Sequence, residues 1–187
     1  MRSIFASIFI MIFAFIALNS KEIKGINMPD NLKSGNESLT LNGAGVIKKM
    51  FFKVYVIGLY LEKTSTDETA LLNQDKPYII RMHFVRDGIS ADKIIEAWNT
   101  GFSKATGNKT DNIKNEIKQF NAYFEGNEVK ENDVFQFDYK PGIGVRVYIN
   151  GKQKGIIGGF NFRKALLGIW IGADPRDSGV KDEMLGK

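Results

Sequence analysis

The sequence predicts an α+β fold built around an antiparallel sheet, and three observations support that prediction. Segments typical of strands and helices follow one another in the order strands, paired helices, strands, helix. The dipeptide Asn150-Gly151 separates two alternating runs, 145–149 and 152–157, and indicates a two-residue hairpin because both turn positions require a positive φ. Residues 160–171 are apolar on nearly all sides, which is typical of a deeply packed helix that stops at Gly172.

The first twenty residues have the pattern of a secretory signal. Arg2 provides a positive tip, residues 4–18 form an uncharged apolar run, and charged residues resume at Lys21. The run is short for a spanning helix, which needs about 20 apolar residues. We therefore expect a signal peptide over residues 1–20, cleaved after Ser20, and an exported protein that is periplasmic or secreted. Retention of the segment as an anchor is the alternative.

The composition excludes several classes of function. The chain has 26 basic and 21 acidic residues and a net charge of +5, and removal of Arg2 with the signal would leave +4. This mild, interspersed charge does not resemble a nucleic-acid footprint, so no nucleic-acid partner is expected, but it is compatible with peripheral contact with an anionic membrane. The chain contains no cysteine and a single histidine, His83. Disulfides, thiol catalysis and histidine-based metal clusters are thereby excluded, and we expect neither a cofactor nor a metal.

The first half of the chain predicts mainly strands. Residues 21–37 are polar and turn-rich, so we expect a flexible lead-in ahead of a domain that spans 38–187. Residues 46–62 are rich in β-branched and aromatic side chains, and they predict one long strand or two strands joined at a kink near Gly58. Both faces of this segment are apolar, which indicates that both are covered. Residues 78–85 predict the next strand.

Two amphipathic helices are expected between the two groups of strands. Ser90 is a suitable N-cap for a helix over 91–104, and Thr110 is a suitable N-cap for the helix that follows. A short helix is also expected around 67–72, and a strand over 134–139. The apolar residues of each amphipathic helix recur on one side: Ile94, Ile95, Trp98 and Phe102 in the first, and Ile113, Ile117, Phe120 and Phe124 in the second.

Gly43-Ala44-Gly45 lacks the third glycine of a nucleotide-binding loop and runs into a strand, so we interpret it as a tight turn. It belongs to a larger constellation that spans residues 38–185. In order and spacing, these segments resemble the chalcone isomerase family, specifically its exported bacterial chalcone-isomerase-like branch. The segments that carry the resemblance are NGAGV (42–46), KVYVIGLYLE (53–62), IRM (80–82) ahead of a helix, the hairpin of 145–157, and LLGIWIG (166–172).

The resemblance implies an open-faced β-sandwich, with a large antiparallel sheet, helices packed on one face and an apolar cleft between them. In plant members of the family that cleft closes a flavonoid ring, and in related non-catalytic members it binds fatty acids. The residues at the enzyme's catalytic positions distinguish these two roles.

The residues that the enzyme uses are largely replaced in this sequence. The family enzyme stabilises its reacting oxyanion with an arginine directly after the Gly-Ala-Gly turn, and here that position is Ile47. The strand threonine corresponds to Tyr55. Of the tyrosine, lysine and asparagine on the enzyme's helix only the lysine is matched, by Lys93, because Ser90 and Ala97 occupy the other two positions. We therefore predict no catalytic residues and no chalcone cyclisation.

What the resemblance retains is the apolar cleft. We expect its lining to come from one face of the long strand (Ile47, Phe51, Tyr55 and Ile57) together with aromatic residues of two helices. Arg81, in mid-strand, is a candidate partner for a ligand carboxylate, and Lys93 is a candidate for the mouth of the cleft. The predicted ligand-binding residues are Tyr55, Arg81, Lys93, Trp98, Phe102 and Trp170.

The leading hypothesis is an exported, non-catalytic protein that binds an apolar or amphipathic small ligand such as a fatty acid. Two alternatives stay open. One is an isomerase of the intramolecular-lyase type acting on a phenolic or enone substrate, and the other is an envelope interaction module whose cleft is filled by its own side chains. A cavity beside Trp98 and Tyr55 distinguishes the last alternative from the other two.

Overall fold

A large antiparallel sheet with helices packed on one face forms the fold, as predicted. The computed structural model describes residues 20–23 and 25–187, so the predicted signal up to residue 19 lies outside the described residues. Neighbouring strands of the seven-stranded sheet follow chain order. Its strands are β3 (Asn31–Ser34), β4 (Glu37–Lys49), β5 (Phe52–Leu61), β6 (Tyr78–Phe84), β7 (Val134–Lys140), β8 (Gly144–Ile149) and β9 (Lys152–Ile157).

A separate two-stranded sheet pairs β1 with β2, and the helices connect or follow the strands of the large sheet. Within the described ranges, no helix combines the length and the apolar content that crossing a membrane requires. The bounds are β1 (Ser20–Ile23), β2 (Ile26–Pro29), α1 (Glu68–Asn73), α2 (Ala91–Ala105), α3 (Lys114–Ala122), α4 (Phe160–Ile171) and α5 (Ser178–Met184).

Both faces of the sheet are covered at β5, which confirms the expectation from the apolar character of residues 46–62. Because side chains alternate along a strand, Tyr55 and Ile57 of β5 belong to the main core under the helices, whereas Val56 lies in a second cluster on the other face. That second cluster includes Met28 of β2. The segment expected to be a flexible lead-in thus contributes strands and a fully buried side chain.

The prediction of a kink near Gly58 is wrong, because the chain reverses earlier. β4 and β5 form a hairpin that closes at the pair Lys49 and Phe52, and Met50 takes the positive φ of 55° that the turn requires. Gly58 lies inside β5, where a Cβ atom would stand 2.7 Å from the terminal methyl of Met28. The glycine leaves room for the second core to pack against the strand.

The interpretation of Gly43-Ala44-Gly45 as a tight turn is also wrong. These residues lie inside β4, and α5, which the sequence analysis did not predict, packs directly on them. A Cβ atom on Gly43 would collide with the backbone of Glu183. The Asn42 side chain fixes the same contact by donating a hydrogen bond to the Met184 carbonyl oxygen at 2.8 Å. The glycines therefore allow close approach of the C-terminal helix.

The remaining elements follow the predictions closely. Asn150 and Gly151 have φ angles of 51° and 75°, which confirms the two-residue hairpin between β8 and β9. The helix expected over 91–104 is α2, although the Ser90 side chain makes no capping hydrogen bond. The second amphipathic helix begins with a 3₁₀ turn at Asp111–Ile113 and continues as α3.

Candidate functional site

A cavity of about 540 Å³ opens between the sheet and the helices α2 and α4, at the end of the sheet where the β4–β5 hairpin turns. Its volume falls within the range of about 300–1,000 Å³ that is typical of small-molecule sites. The apolar part of its wall comes from strands β5 and β6, from α2 and from α4: Val54, Met82, Phe84, Ile94, Trp98 and Ile169. This cavity, hereafter the cleft, is the candidate ligand site.

The position of the two helices that line the cleft depends on glycine. A Cβ atom on Gly101 of α2 would lie 2.9 Å from the Ile169 side chain of α4, and one on Gly168 would lie 3.2 Å from the Cβ atom of Ala105. The missing side chains at both positions let the two helices pack closely. Ile169 makes this contact and lines the cleft, and Trp98 lies one turn before Gly101 on the same side of α2.

Trp98 forms the inner wall and is held by other aromatic rings. Its ring centroid lies 5.5 Å from that of Phe120, 5.8 Å from that of Phe137 and 6.0 Å from that of Trp170, each in an edge-to-face arrangement. The buried indole nitrogen Nε1 of Trp98 has no hydrogen-bond partner among the residues that the structure describes. The inner wall is therefore aromatic and tightly packed.

Tyr55 adds a buried hydroxyl group to the cleft. Its hydroxyl accepts a hydrogen bond from Nε1 of Trp170 at 3.2 Å and donates none to any described residue. Burial raises the pKa of Tyr55, an effect that the nearby Arg176 guanidinium and the bond from Trp170 partly offset. The phenol is therefore protonated at neutral pH, and its proton can be donated to a ligand.

The mouth of the cleft is basic. Exposed cations outnumber exposed acids around it: Lys49, Arg86, Lys93 and Arg176 against Asp87 and Glu96. The Arg86 guanidinium lies over the Phe52 ring, 4.4 Å from its centroid, which holds this cation beside the opening. An apolar interior beneath a basic mouth suits an amphipathic ligand with a negatively charged head group.

Among the predicted ligand-binding residues, Tyr55, Lys93 and Trp98 line the cleft. Trp170 lies behind the wall and acts through Tyr55, to which it donates its hydrogen bond. Phe102 is fully buried and packs against Phe120 and Phe162, so it belongs to the core that supports the wall.

Arg81 requires a correction, because the structure places it away from the cleft. In β6 the residues Ile80 and Met82 face the helices, and Arg81 between them therefore points to the opposite face. There its Nη1 donates a long hydrogen bond of 3.5 Å to Gln136 Oε1, and burial lowers its pKa. The arginines that line the cleft are instead Arg86 and Arg176.

The expected strand lining also changes in detail. Ile47 is buried and lines a smaller adjoining cavity of about 190 Å³, which shares Ile169 and Arg176 with the cleft. Ile57 lies in the core, and Phe51 projects from the hairpin turn with 91% of its surface exposed. Arg86 and Arg176 were missed because both lie in loops, where the periodicity of strands and helices gives no direction to a side chain.

Within the described ranges, no group of three or more histidine, cysteine or acidic side chains is arranged to hold a metal ion. The side chains that define the cleft are its apolar walls, the buried hydroxyl of Tyr55 and the cations at its mouth.

Comparison with known proteins places this geometry in a family. A comparison with curated proteins found no match. Among solved structures, the fatty-acid binding protein of Arabidopsis thaliana is similar in fold, with a TM-score of 0.71 and 18% sequence identity, and the alignment covers 89% of this chain and 96% of that one. The family model described as chalcone isomerase-like matches residues 20–186. The chain therefore belongs to the chalcone isomerase-like family.

Proposed function

We propose that this protein is a non-catalytic binding protein for an apolar carboxylate such as a fatty acid, which it holds in the cleft. The observation that carries the proposal is a cavity of about 540 Å³ that combines apolar walls, a basic mouth and the unused proton of Tyr55. The cavity beside Trp98 and Tyr55 also argues against the alternative in which side chains fill the cleft.

The expected energetics favour a ligand with a hydrocarbon chain. Each buried methylene contributes about 0.8 kcal/mol, so chain length should determine most of the affinity until the cavity is full. A carboxylate that accepts the Tyr55 proton would add a hydrogen bond to a charged group, typically about 1.5–3 kcal/mol. The Arg176 guanidinium, which lies near enough to Tyr55 to act on its hydroxyl, would attract the same head group.

Two further observations support a binding role. The similar solved structure from Arabidopsis thaliana is described as a fatty-acid binding protein. The position at which the family enzyme carries its oxyanion-stabilising arginine is Ile47 in this chain, and it is buried. An apolar side chain there provides none of the charge stabilisation that ring closure of a phenolate requires.

Native mass spectrometry of the full chain, followed by titration of the delipidated protein with a fluorescent fatty acid, tests the proposal. We expect a co-purified mass in the range of fatty acids and saturable binding of the probe. Ala97→Trp should abolish binding because Ala97 lines the cleft, whereas Ala122→Trp, a matched change on the exposed end of α3, should not. A protein that is empty as isolated and binds no probe would refute the proposal.

The isomerase alternative is tested by the same preparations. The neighbouring cation Arg176 lines both cavities beside Ile47, so a phenolic or enone substrate would meet a positive charge there. Turnover of such a substrate that Arg176→Met abolishes would favour the isomerase. Binding of fatty acids without turnover would favour the binding protein.

We also propose that the protein is exported and that its segment 1–20 is the signal, as in an exported bacterial branch of the family. The support is the sequence pattern of Arg2, the apolar run and the charges from Lys21 onward. The intact mass of the protein recovered from cell envelope or medium should lack residues 1–20. Recovery of the uncleaved chain from the cytoplasm alone would contradict export.

A further inference from the structure

The turn between β4 and β5 exposes a cluster of large apolar side chains. Three consecutive residues are exposed to unusual degrees for their type: Met50 by 81%, Phe51 by 91% and Phe52 by 55%. Residues 48–53, with the sequence KKMFFK, are called the tip below. Exposed apolar patches of this kind mark sites of contact with a membrane or another macromolecule.

The tip projects beyond the neighbouring strand. The ladder between β5 and β6 ends where Tyr55 faces Phe84, and one more backbone hydrogen bond follows, from the Val85 N–H to the Val54 carbonyl oxygen. From Lys53 to the turn, the hairpin has no partner among the described strands on that side. Lys48 and Lys53 face each other across the hairpin, just behind the turn. The last residues of the hairpin thus extend beyond the regular pairing of the sheet on that side.

The charges around the tip favour one class of surface. Lys48, Lys49 and Lys53 are exposed, the tip contains no acid, and the Arg86 guanidinium lies 4.4 Å from the centroid of the Phe52 ring. Aromatic and aliphatic side chains surrounded by cations complement a bilayer with anionic head groups, because the rings enter the interface while the lysines remain at the phosphate level.

We infer that the tip docks the protein onto an anionic lipid membrane. Lys49, Met50 and Phe52 also line the mouth of the cleft, so docking would place that mouth at the lipid surface. An apolar ligand could then move between bilayer and cleft without crossing water. This transfer role rests on the proposed function, whereas the docking itself does not.

The absence of cysteine makes a site-specific test possible. In one full-chain variant, Phe51→Cys, the introduced thiol is labelled with an environment-sensitive fluorophore. A second full-chain variant, Ile143→Cys, is labelled with the same fluorophore as the control. Ile143 is 47% exposed and lies in the turn between β7 and β8, at the opposite end of the sheet. Because each fluorophore reports only its own surroundings, binding through any other part of the chain does not imitate docking of the tip.

Vesicles of phosphatidylcholine alone and of phosphatidylcholine with phosphatidylglycerol are the probes. We expect a blue shift and quenching by nitroxide-labelled lipids at position 51 only with the anionic vesicles, and no change at position 143. The double variant Lys48→Gln, Lys49→Gln should weaken the vesicle-dependent signal at position 51 by about 30-fold in lipid concentration, at about fivefold per lysine near the surface.

If the fluorophore at position 51 remains exposed to water with both kinds of vesicle, the inference is overturned. The tip would then be a contact site for a protein partner. Equal signals at positions 51 and 143 would also overturn it, because they would indicate nonspecific adsorption. Fatty-acid titration of the same preparations without vesicles separates failure of docking from failure of the proposed binding function.

Discussion

The substitution Tyr55→Phe removes a single oxygen from the cleft and thereby separates two roles of that oxygen. The hydroxyl accepts the hydrogen bond of Trp170 at 3.2 Å, and its own proton is donated to no described residue. Its raised pKa keeps that proton in place at neutral pH. If a ligand carboxylate accepts the proton, the variant loses binding as well as stability.

The two losses differ in size. Loss of a hydrogen bond to a charged head group should weaken binding by about 1.5–3 kcal/mol, or about 10- to 150-fold in Kd. Loss of the acceptor for the buried Trp170 N–H should lower the free energy of unfolding by about 1–3 kcal/mol. A fatty alcohol of the same chain length should lose only about 0.5–1.5 kcal/mol of binding, because its hydrogen bond is uncharged.

Isothermal titration of both proteins with a fatty acid and the matching alcohol measures the first effect, and urea unfolding measures the second. Tyr60→Phe is the control, since Tyr60 lies in the same strand but on the opposite face, in the second cluster. An unchanged Kd for the fatty acid in Tyr55→Phe would refute the assignment of this hydroxyl to the head group.

Three further changes test the fold that supports the cleft. Burial raises the pKa of Tyr60 above its ordinary value of 10.0, so the unfolded chain loses this proton first. The free energy of unfolding should therefore fall above about pH 10, by up to about 1.4 kcal/mol per pH unit. Tyr60→Phe should flatten that slope in urea unfolding measured across pH, and equal slopes in the two proteins would contradict the prediction. Arg163→Met should lower the free energy of unfolding in urea by at least about 3 kcal/mol, because the buried guanidinium donates hydrogen bonds to the carbonyl oxygens of Leu71 and Gln74. A decrease below about 1 kcal/mol would count against this role. Gly151→Ala should lower the thermal midpoint by a destabilisation of about 1 kcal/mol, since φ is 75° there, and an unchanged midpoint would show that the turn tolerates a side chain.

The sequence predicts the parts of the fold that depend on local signals. Asn150-Gly151 indicated its hairpin because only a few residues adopt two successive positive φ angles. The helix α4 was bounded correctly, because its apolar run ends at a glycine. The family resemblance supplied the arrangement of the helices on one face, which periodicity alone does not give.

Features that depend on distant contacts were missed. Gly58 and Gly43 both resemble breaks in a strand, but each lacks a side chain because another part of the chain packs there, Met28 against one and α5 against the other. Nothing near either glycine in sequence shows its partner. The reversal at Met50 was hidden for a different reason, because the exposed apolar tip continues the pattern of the strands on both sides of it.

Some residues of the candidate site could likewise be predicted from the sequence, and others could not. Trp98 could be found because the apolar residues of its helix recur on one side. Tyr55 could be found because the family resemblance indicated which face of its strand lines the cleft. Arg81 was placed wrongly, because its neighbours Ile80 and Ile79 are both fully buried and conceal the face to which it belongs. A sheet covered on both sides removes the contrast between apolar and polar faces that would have settled its direction.

The central claim is that an apolar carboxylate occupies the cleft between the sheet and α2 and α4. Photo-crosslinking of the full chain with a fatty acid that carries a diazirine on its chain, followed by peptide mapping, tests this claim most directly. We expect crosslinks to Ile94, Trp98 or Ile169 that excess unlabelled fatty acid removes. Crosslinks confined to the opposite face, around Val56 and Tyr60, or an absence of competable crosslinks, would contradict it.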